Sequence, residues 1–365
     1  MFDTMQRSKI LVLASAAATF VACTHSAVTS SVAPAGAPIV TASRHPGEPP
    51  EAPAKWVGLL GEYDAPTGMR VVLEDGQRLY FADTVRQRAE LTEASSDHFG
   101  ISPSGAENVL GHSATTVRFD VDAAGRATKA WLGDVAMARR EIEPRPGTTQ
   151  LQVAPVRPVE ELRREALADS PPHETGTFRP ADLVELVKLD PTIKLEIRYA
   201  TTNNFLGTKF YDEARAFMQR PAAEAVVRAN ASLKSLGYGL LIHDAYRPWY
   251  VTKMFWDATP LDKRWLVANP TSGSKHNRGE AVDLTLYDLA TGKPVEMPST
   301  YDESTDRAYA DYPGGTTAQR WRRAVLRRAM EAQGFAVNPT EWWHFDYKDW
   351  RQYAIGNVTF DHISR

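Results

Sequence analysis

Ser274-Lys275-His276-Asn277-Arg278-Gly279-Glu280-Ala281-Val282-Asp283 and, further on, Glu341-Trp342-Trp343-His344 are the stretches that decide the C-terminal half of this chain. His276 and Asp283 are an odd number of residues apart, so on one regular strand they would face opposite sides of a sheet. Arg278-Gly279 supplies a bend. It predicts His276 on a loop and Asp283 on a strand from Ala281 to Tyr287. Two imidazoles (His276, His344) and one carboxylate (Asp283) fill three corners of a zinc tetrahedron and leave the fourth for water. Glu341 remains to handle protons, which completes the inventory of a zinc hydrolase. Taken alone, these residues leave a second reading open, with His344 as a buried, hydrogen-bonded histidine.

The surrounding sequence predicts an α+β domain with a small, mostly antiparallel sheet. Residues 193–199 alternate as a strand. Pro221 opens a helix that runs to Leu236 and stops at Gly237. Leu240 to His243 reads as a buried strand leading to Asp244-Ala245-Tyr246-Arg247-Pro248. A helix from Ala318 to Gln333 stops at Gly334, and Phe335-Ala336-Val337 leads on to Glu341 and His344. His243 sits in an apolar strand and reads as core. Tyr246, Trp342 and Trp343 read as packing around the site.

Upstream, residues 55–140 read as a small all-β accessory domain. Asp75-Gly76 is a hairpin signal between two apolar runs, and residues 116–121 alternate apolar and polar. Asp97-His98 and His112-Ser113 read as loop residues. A proline-rich connector, 141–182, holds a short helix between Val159 and Leu167. The catalytic unit is expected over 183–365. Arg320, Arg322, Arg323, Arg327 and Arg328 crowd one segment, which reads as the wet face of a helix.

The chain of 365 residues suits two domains, and its net charge of −3 gives no reason to expect nucleic acid. Cys23 is the only cysteine, so no internal disulfide can form. Arg7 and Lys9 precede an apolar run from Ile10 to Ala22, the pattern of a secretory signal over 1–22. Phe20-Val21-Ala22-Cys23 resembles a bacterial lipobox, with Phe where Leu is usual, and implies lipidation of Cys23. A plain secretory signal cut further on is the other reading. Thr24 after the cysteine points to an outer-membrane anchor facing the periplasm in a Gram-negative cell. Residues 23–54 are poor in large apolar side chains and read as a flexible tether.

Ser-x-His-x-x-Gly-x-Ala-x-Asp followed by Glu-x-Trp-His resembles the zinc D-Ala-D-Ala metallopeptidases, in particular the VanX-type D-alanyl-D-alanine dipeptidases. Residues 197–205 (Ile-Arg-Tyr-Ala-Thr-Thr-Asn-Asn-Phe), 244–248 and 281–287 extend the likeness, which runs from about Leu183 to Tyr353 and leaves out the β domain. The resemblance implies one zinc ion held by His276, Asp283 and His344. It makes Glu341 the acid–base residue acting on a zinc-held water. Arg247 would stabilise the oxyanion, or else form a structural ion pair with Asp244. Ser274 would contact the substrate carboxylate, or else cap its loop. Asp302 would receive the substrate's free amino group, or else be a surface aspartate. An acid at that point favours a free dipeptide over a longer chain.

The expectation is thus an exported zinc dipeptidase acting on D-Ala-D-Ala or a similar small D-amino-acid dipeptide in cell-wall peptide turnover. Its alternatives are a D,D-carboxypeptidase on peptidoglycan stem peptides and a non-catalytic wall-associated lipoprotein.

Overall fold

A computed structural model describes residues 45–83, 87–111, 113–140 and 152–363. The signal segment, Cys23, most of the tether, His112 and the start of the connector lie outside the described residues.

Short alternating segments joined by Gly-containing turns build the first body. Strands β1 (Gly61–Ala65), β2 (Gly68–Asp75), β3 (Arg78–Asp83), β4 (Arg88–Glu93), β5 (His98–Gly100), β6 (Thr116–Val121), β7 (Ala127–Leu132) and β8 (Val135–Arg139) pair in sequence order. The antiparallel pairing of β1 with β8, Tyr63 opposite Arg139, closes them into a barrel. Val72, Phe81, Phe99, Phe119, Leu132 and Met137 fill its interior, and closure removes the exposed edges of an open sheet. A short helix, α1 (Ala54–Val57), leads into it.

The reading of this half needs two corrections, the first being that His98, expected in a loop, opens β5 opposite Arg118. Helix α2 (Pro103–Leu110) lies between β5 and β6 and adds Ala106 and Val109 to the barrel core. Ser102 caps it by accepting from the Gly105 amide, and Pro103 stands where a missing N–H costs nothing.

The second body includes α3 (Val159–Ala168), whose Leu162 and Ala166 are buried in its core, so part of the expected connector belongs to it. Its central sheet runs β10 (Lys194–Leu195), β12 (Tyr238–Asp244), β13 (Ala281–Asp288), β15 (Glu341–Tyr347) and β14 (Phe335–Asn338). Only the β10–β12 pair is parallel. A small ribbon joins β9 (Leu183–Glu185) to β11 (Phe217–Gln219), with the single turn α4 (Leu186–Leu189) between them in sequence. Helices α5 (Arg220–Leu233) and α7 (Thr317–Glu331) pack on each other and on one face of the sheet. Val226, Leu233, Leu326 and Met330 meet Leu240, Ile242, Val282 and Leu284 there. Helix α6 (Trp249–Ala258) packs against α3.

Three further expectations are corrected in this half. The alternating stretch 193–199 is a strand only at Lys194–Leu195, and Arg198–Ala200 turns as a 3₁₀ helix. The arginines of α7 are not simply a wet face. Arg320 pairs with Asp75 of the barrel, Arg322 pairs with Glu48 and Glu51, and Arg323 donates to the Tyr309 and Tyr312 carbonyls. The end of the supposed tether is held as well, because His45 meets Asp288 at 2.9 Å and Glu48 meets Arg322 at 2.6 Å.

Candidate functional site

The site is built where β13 and β15 run side by side. Asp283 and His344 stand directly opposite in the antiparallel register, so their side chains emerge on one face. His276 arrives from a 3₁₀ turn (His276–Arg278) that Gly279 ends in the left-handed conformation, φ +69°. A side chain at Gly279 would be strained there and would also meet Leu183 Cδ2 at 2.7 Å. The bend reverses the odd spacing and brings His276 back over the strand.

Three ligand-type atoms then face one another. His276 Nε2 lies 3.2 Å from His344 Nδ1 and 3.4 Å from Asp283 Oδ1, and His344 Nδ1 lies 2.9 Å from Asp283 Oδ1. Ligands bonded at about 2.0–2.1 Å in a tetrahedron lie roughly 3.3 Å apart, so this spacing fits one small divalent cation. The outer hydrogen bonds select the same atoms. His276 Nδ1 donates to the Ala245 carbonyl at 2.7 Å, which leaves the Nε2 lone pair free for a metal. His344 Nε2 lies 2.9 Å from Asp346 Oδ1, and Lys275 holds the other oxygen of Asp346. Tyr301 donates to Asp283 Oδ2 at 2.9 Å. Burial opposes the charge on Asp283, yet the two imidazoles hold its carboxyl well below the usual carboxylate range. Burial opposes a charge on His344, yet the Asp283 and Asp346 carboxylates push its imidazole up to about 10, so a metal that takes the carboxylate and two neutral imidazoles must displace a proton there.

These atoms open into a cavity of about 520 Å³ that also touches Tyr199, Arg247, Ser274, Asp302, Glu341 and Trp343. Every site residue expected from the sequence apart from Cys23 therefore borders one space. Glu341 lies 3.7 Å from His344 Nδ1, and Asn338 donates to its Oε2 at 3.0 Å. Burial raises the Glu341 pKa above its ordinary value, as suits a group that must both take and return a proton. Arg247 is buried, with Nε and Nη2 both bonded to Asp244 Oδ2 at 3.0 and 2.7 Å. Its guanidinium also stacks over Tyr199 and Phe255. The expected ion pair and a place on the cavity wall thus coexist at Arg247. The Ser274 hydroxyl accepts from the His276 amide at 3.2 Å. Asp302 takes a left-handed backbone, φ +59°, unusual for a residue other than glycine. Tyr199 donates to its carboxylate at 3.1 Å, and burial pushes the Asp302 carboxyl up to about 8.

Tyr199, Tyr301 and Asp346 are the residues that the sequence reading missed. Asp346 left a signal, since it stands two residues after His344 on the same strand and so shares its face, and Tyr199 lies in the 197–205 motif without a role having been assigned to it. His243 is buried beside the Tyr301 ring, and burial pushes its pKa down to about 3, which keeps it neutral. Trp343 borders the cavity, whereas Trp342, which donates to Ser299 Oγ, and Tyr246, which donates to the Val358 carbonyl, are buried without lining it.

Against known families, residues 179–364 match the model described as D-ala-D-ala dipeptidase. A protein named D-alanyl-D-alanine dipeptidase from Escherichia coli is 34% identical over 174 residues, 48% of this chain and 89% of that one. One of the same name from Enterococcus faecalis is 33% identical, over 43% of this chain and 87% of its own length. Another, from Streptomyces coelicolor, is 34% identical, over 48% and 93%. The family match begins after the barrel.

Proposed function

The chain belongs to the D-Ala-D-Ala dipeptidase family, and from that premise we propose that it is a zinc dipeptidase that hydrolyses free D-Ala-D-Ala. The observation that carries the reading is the convergence of His276 Nε2, Asp283 Oδ1 and His344 Nδ1 on one point beside Glu341. The zinc ion, when bound, would polarise the scissile carbonyl and acidify the attacking water. His276, Asp283 and His344 would hold it, with Ala245, Tyr301 and Asp346 fixing their orientation. Glu341 accepts the proton of the attacking water and returns it to the departing amine. Arg247, fixed by Asp244 and by two aromatic faces, stands ready to meet the developing oxyanion without reorganising. Asp302, steadied by the Tyr199 hydroxyl, receives the substrate ammonium, and Ser274 contacts its carboxylate.

An ammonium anchor disfavours chains blocked or extended at the amino end. The deciding experiment compares D-Ala release by the zinc-loaded full chain from D-Ala-D-Ala and from its N-acetyl form. Cleavage of the free dipeptide alone supports the proposal. Cleavage of the blocked form moves the protein to the D,D-carboxypeptidases, and cleavage of neither overturns the hydrolytic reading.

The N-terminal sequence supports an exported protein anchored by acylation of Cys23, with dipeptides from cell-wall turnover as its substrate. Fatty-acid labelling that survives Cys23→Ala would overturn the anchor.

A further inference from the structure

A second cavity of about 540 Å³ lies between the barrel and the second body. No residue that lines it borders the catalytic cavity. The barrel contributes Glu62 of β1 and Arg139 and Arg140 at the end of β8, and the second body contributes Arg307, Tyr312 and Thr316. The family match begins after the barrel, so the barrel's share of this wall lies outside it.

Glu62 is the reason to look for a ligand here. Its side chain is 1% exposed, and neither carboxylate oxygen has a hydrogen-bond partner among the described residues. Arg140 Nη1 is 3.9 Å from Oε2, beyond hydrogen-bond reach. A dry carboxylate without a donor is costly, and buried polar groups in folded proteins are nearly always partnered. Burial raises the Glu62 pKa, whereas Tyr312, Arg307 and Arg140 pull it down, so both arginines stand close enough to act on its charge.

The arginines are held in place by other groups. Arg140 Nε donates to Asp64 Oδ1 at 2.6 Å. Arg307 donates through Nε and Nη2 to the Pro298 carbonyl, at 3.1 and 2.8 Å. Arg139 is fixed by the Gly58, Leu60 and Ala127 carbonyls. One dry carboxylate and fixed guanidinium groups thus face a common space. A plain amine would meet the arginines there, and a plain anion would meet Glu62. A ligand that carries both an ammonium and a carboxylate answers both. The short distance between Glu62 and Arg140 asks for the two charges side by side, as on the α-carbon of an amino acid. Val57, Leu60 and Pro298 line the same space and offer an uncharged wall to the rest of the molecule. The volume falls within the range of small-molecule sites, about 300–1,000 Å³.

We infer that this cavity is a second binding site, for a free α-amino acid, with the ammonium on Glu62 and the carboxylate on Arg140 and Arg307. It gives the barrel a binding role that the peptidase half alone could not supply. Binding is read without turnover, so the inference stands or falls apart from the proposed hydrolysis.

The test is calorimetric titration of the zinc-loaded full chain with D-alanine and with D-phenylalanine. Saturable binding of at least one is expected. N-acetyl-D-alanine and N-acetyl-D-phenylalanine, which lack the ammonium, and the two amino-acid amides, which lack the carboxylate, should not bind. Glu62→Gln and Arg140→Ala should each weaken binding by about tenfold or more, the scale of a hydrogen bond to a charged group. Asp302→Asn, in the other cavity, should leave it within about twofold. Arg140 is largely exposed, so its variant decides the matter if Glu62→Gln does not fold. Binding of neither amino acid overturns the site. Unchanged affinity in either folded variant, equal binding of a blocked form, or a loss in Asp302→Asn alone overturns it as well.

Discussion

Asp302 combines three unusual properties at one residue: a left-handed backbone, a carboxyl pushed up to about 8 by burial, and a hydroxyl donor in Tyr199. A carboxyl raised in this way is neutral below its pKa and charged above it. Only the charged form attracts an ammonium, so substrate capture weakens as pH falls through the raised value. We expect the acid limb of kcat/KM for D-Ala-D-Ala to lie above the ordinary carboxylate range and Asp302→Asn to flatten it. Asp302→Asn should also raise KM by about tenfold or more, the scale of a lost charge-assisted hydrogen bond. A pH–rate profile unchanged in the variant would remove Asp302 from substrate binding. Asp346 acts differently, through His344. Its carboxylate bonds Nε2 and leaves Nδ1 for the metal, so Asp346→Asn should weaken zinc affinity by about 10–100-fold. Competition with a chromophoric chelator measures this directly, and equal affinity in both proteins would show that the strands alone orient His344. The three residues that could hold a metal were legible in the motif because their types and order carry it. Tyr199 and Tyr301 were not, because what brings them to the site is the long-range fold.

At the scale of elements, β13 carries a liability beside its function. Glu280 precedes the strand, is fully buried, and neither carboxylate oxygen has a hydrogen-bond partner among the described residues. Burial pushes its pKa up to about 8, with Asp349 adding to the rise and Arg179 opposing it. The folded state therefore prefers the protonated acid. The unfolded chain releases that proton near pH 4.5, so stability from this group is present below that pH and is lost as pH rises towards about 8. Glu280→Gln, which stays neutral, should match the parent near pH 4 and exceed it near pH 8 by about 2–4 °C in Tm. Thermal unfolding at the two pH values decides it, and an equal shift at both would mean that ionisation is not the cause. Element boundaries were legible where chemistry punctuates the chain. Pro221 stands in the first turn of α5, and Gly237 ends the following 3₁₀ turn at φ +82°. They were illegible where patterns coincide. Residues 193–199 alternate like a strand, but the chain must turn at Arg198–Ala200 to bring Tyr199 to the cavity. Helix α6 went unread because seven of its ten residues are buried, which leaves only the narrow stripe Lys253, Trp256 and Asp257 to mark the period.

At the scale of the whole molecule, α7 joins two tasks. One side backs the sheet that carries Asp283 and His344, and its first turns receive the barrel. The Glu74 carboxylate of β2 accepts from the Thr317 amide at 2.8 Å, a favourable place for negative charge at a helix start. The sequence suggested a solvated arginine face because spacing shows only that these residues share a helix. It cannot show that the barrel meets Arg320 and an N-terminal segment meets Arg322, while Arg327 and Arg328 stay exposed as expected. Arg322 concentrates the consequence. Its guanidinium meets Glu48, whose side chain is 6% exposed, and Glu51, whose side chain is 62% exposed. Removing the arginine strands the Glu48 charge in a nearly dry place, at a cost of about 3 kcal/mol. Removing Glu51 deletes an exposed partner, worth less than about 1 kcal/mol. Arg322→Ala should therefore lower Tm by roughly 5–10 °C and Glu51→Ala by no more than about 3 °C. The residues around the catalytic cavity all come from the second body, so both variants should cleave D-Ala-D-Ala at the parental rate at 25 °C. Calorimetry and initial rates on the same preparations give both quantities. An Arg322→Ala protein with parental Tm would show that the pairing adds nothing to stability. One with parental Tm but lost hydrolysis would instead make the contact with the N-terminal segment part of the catalytic machinery.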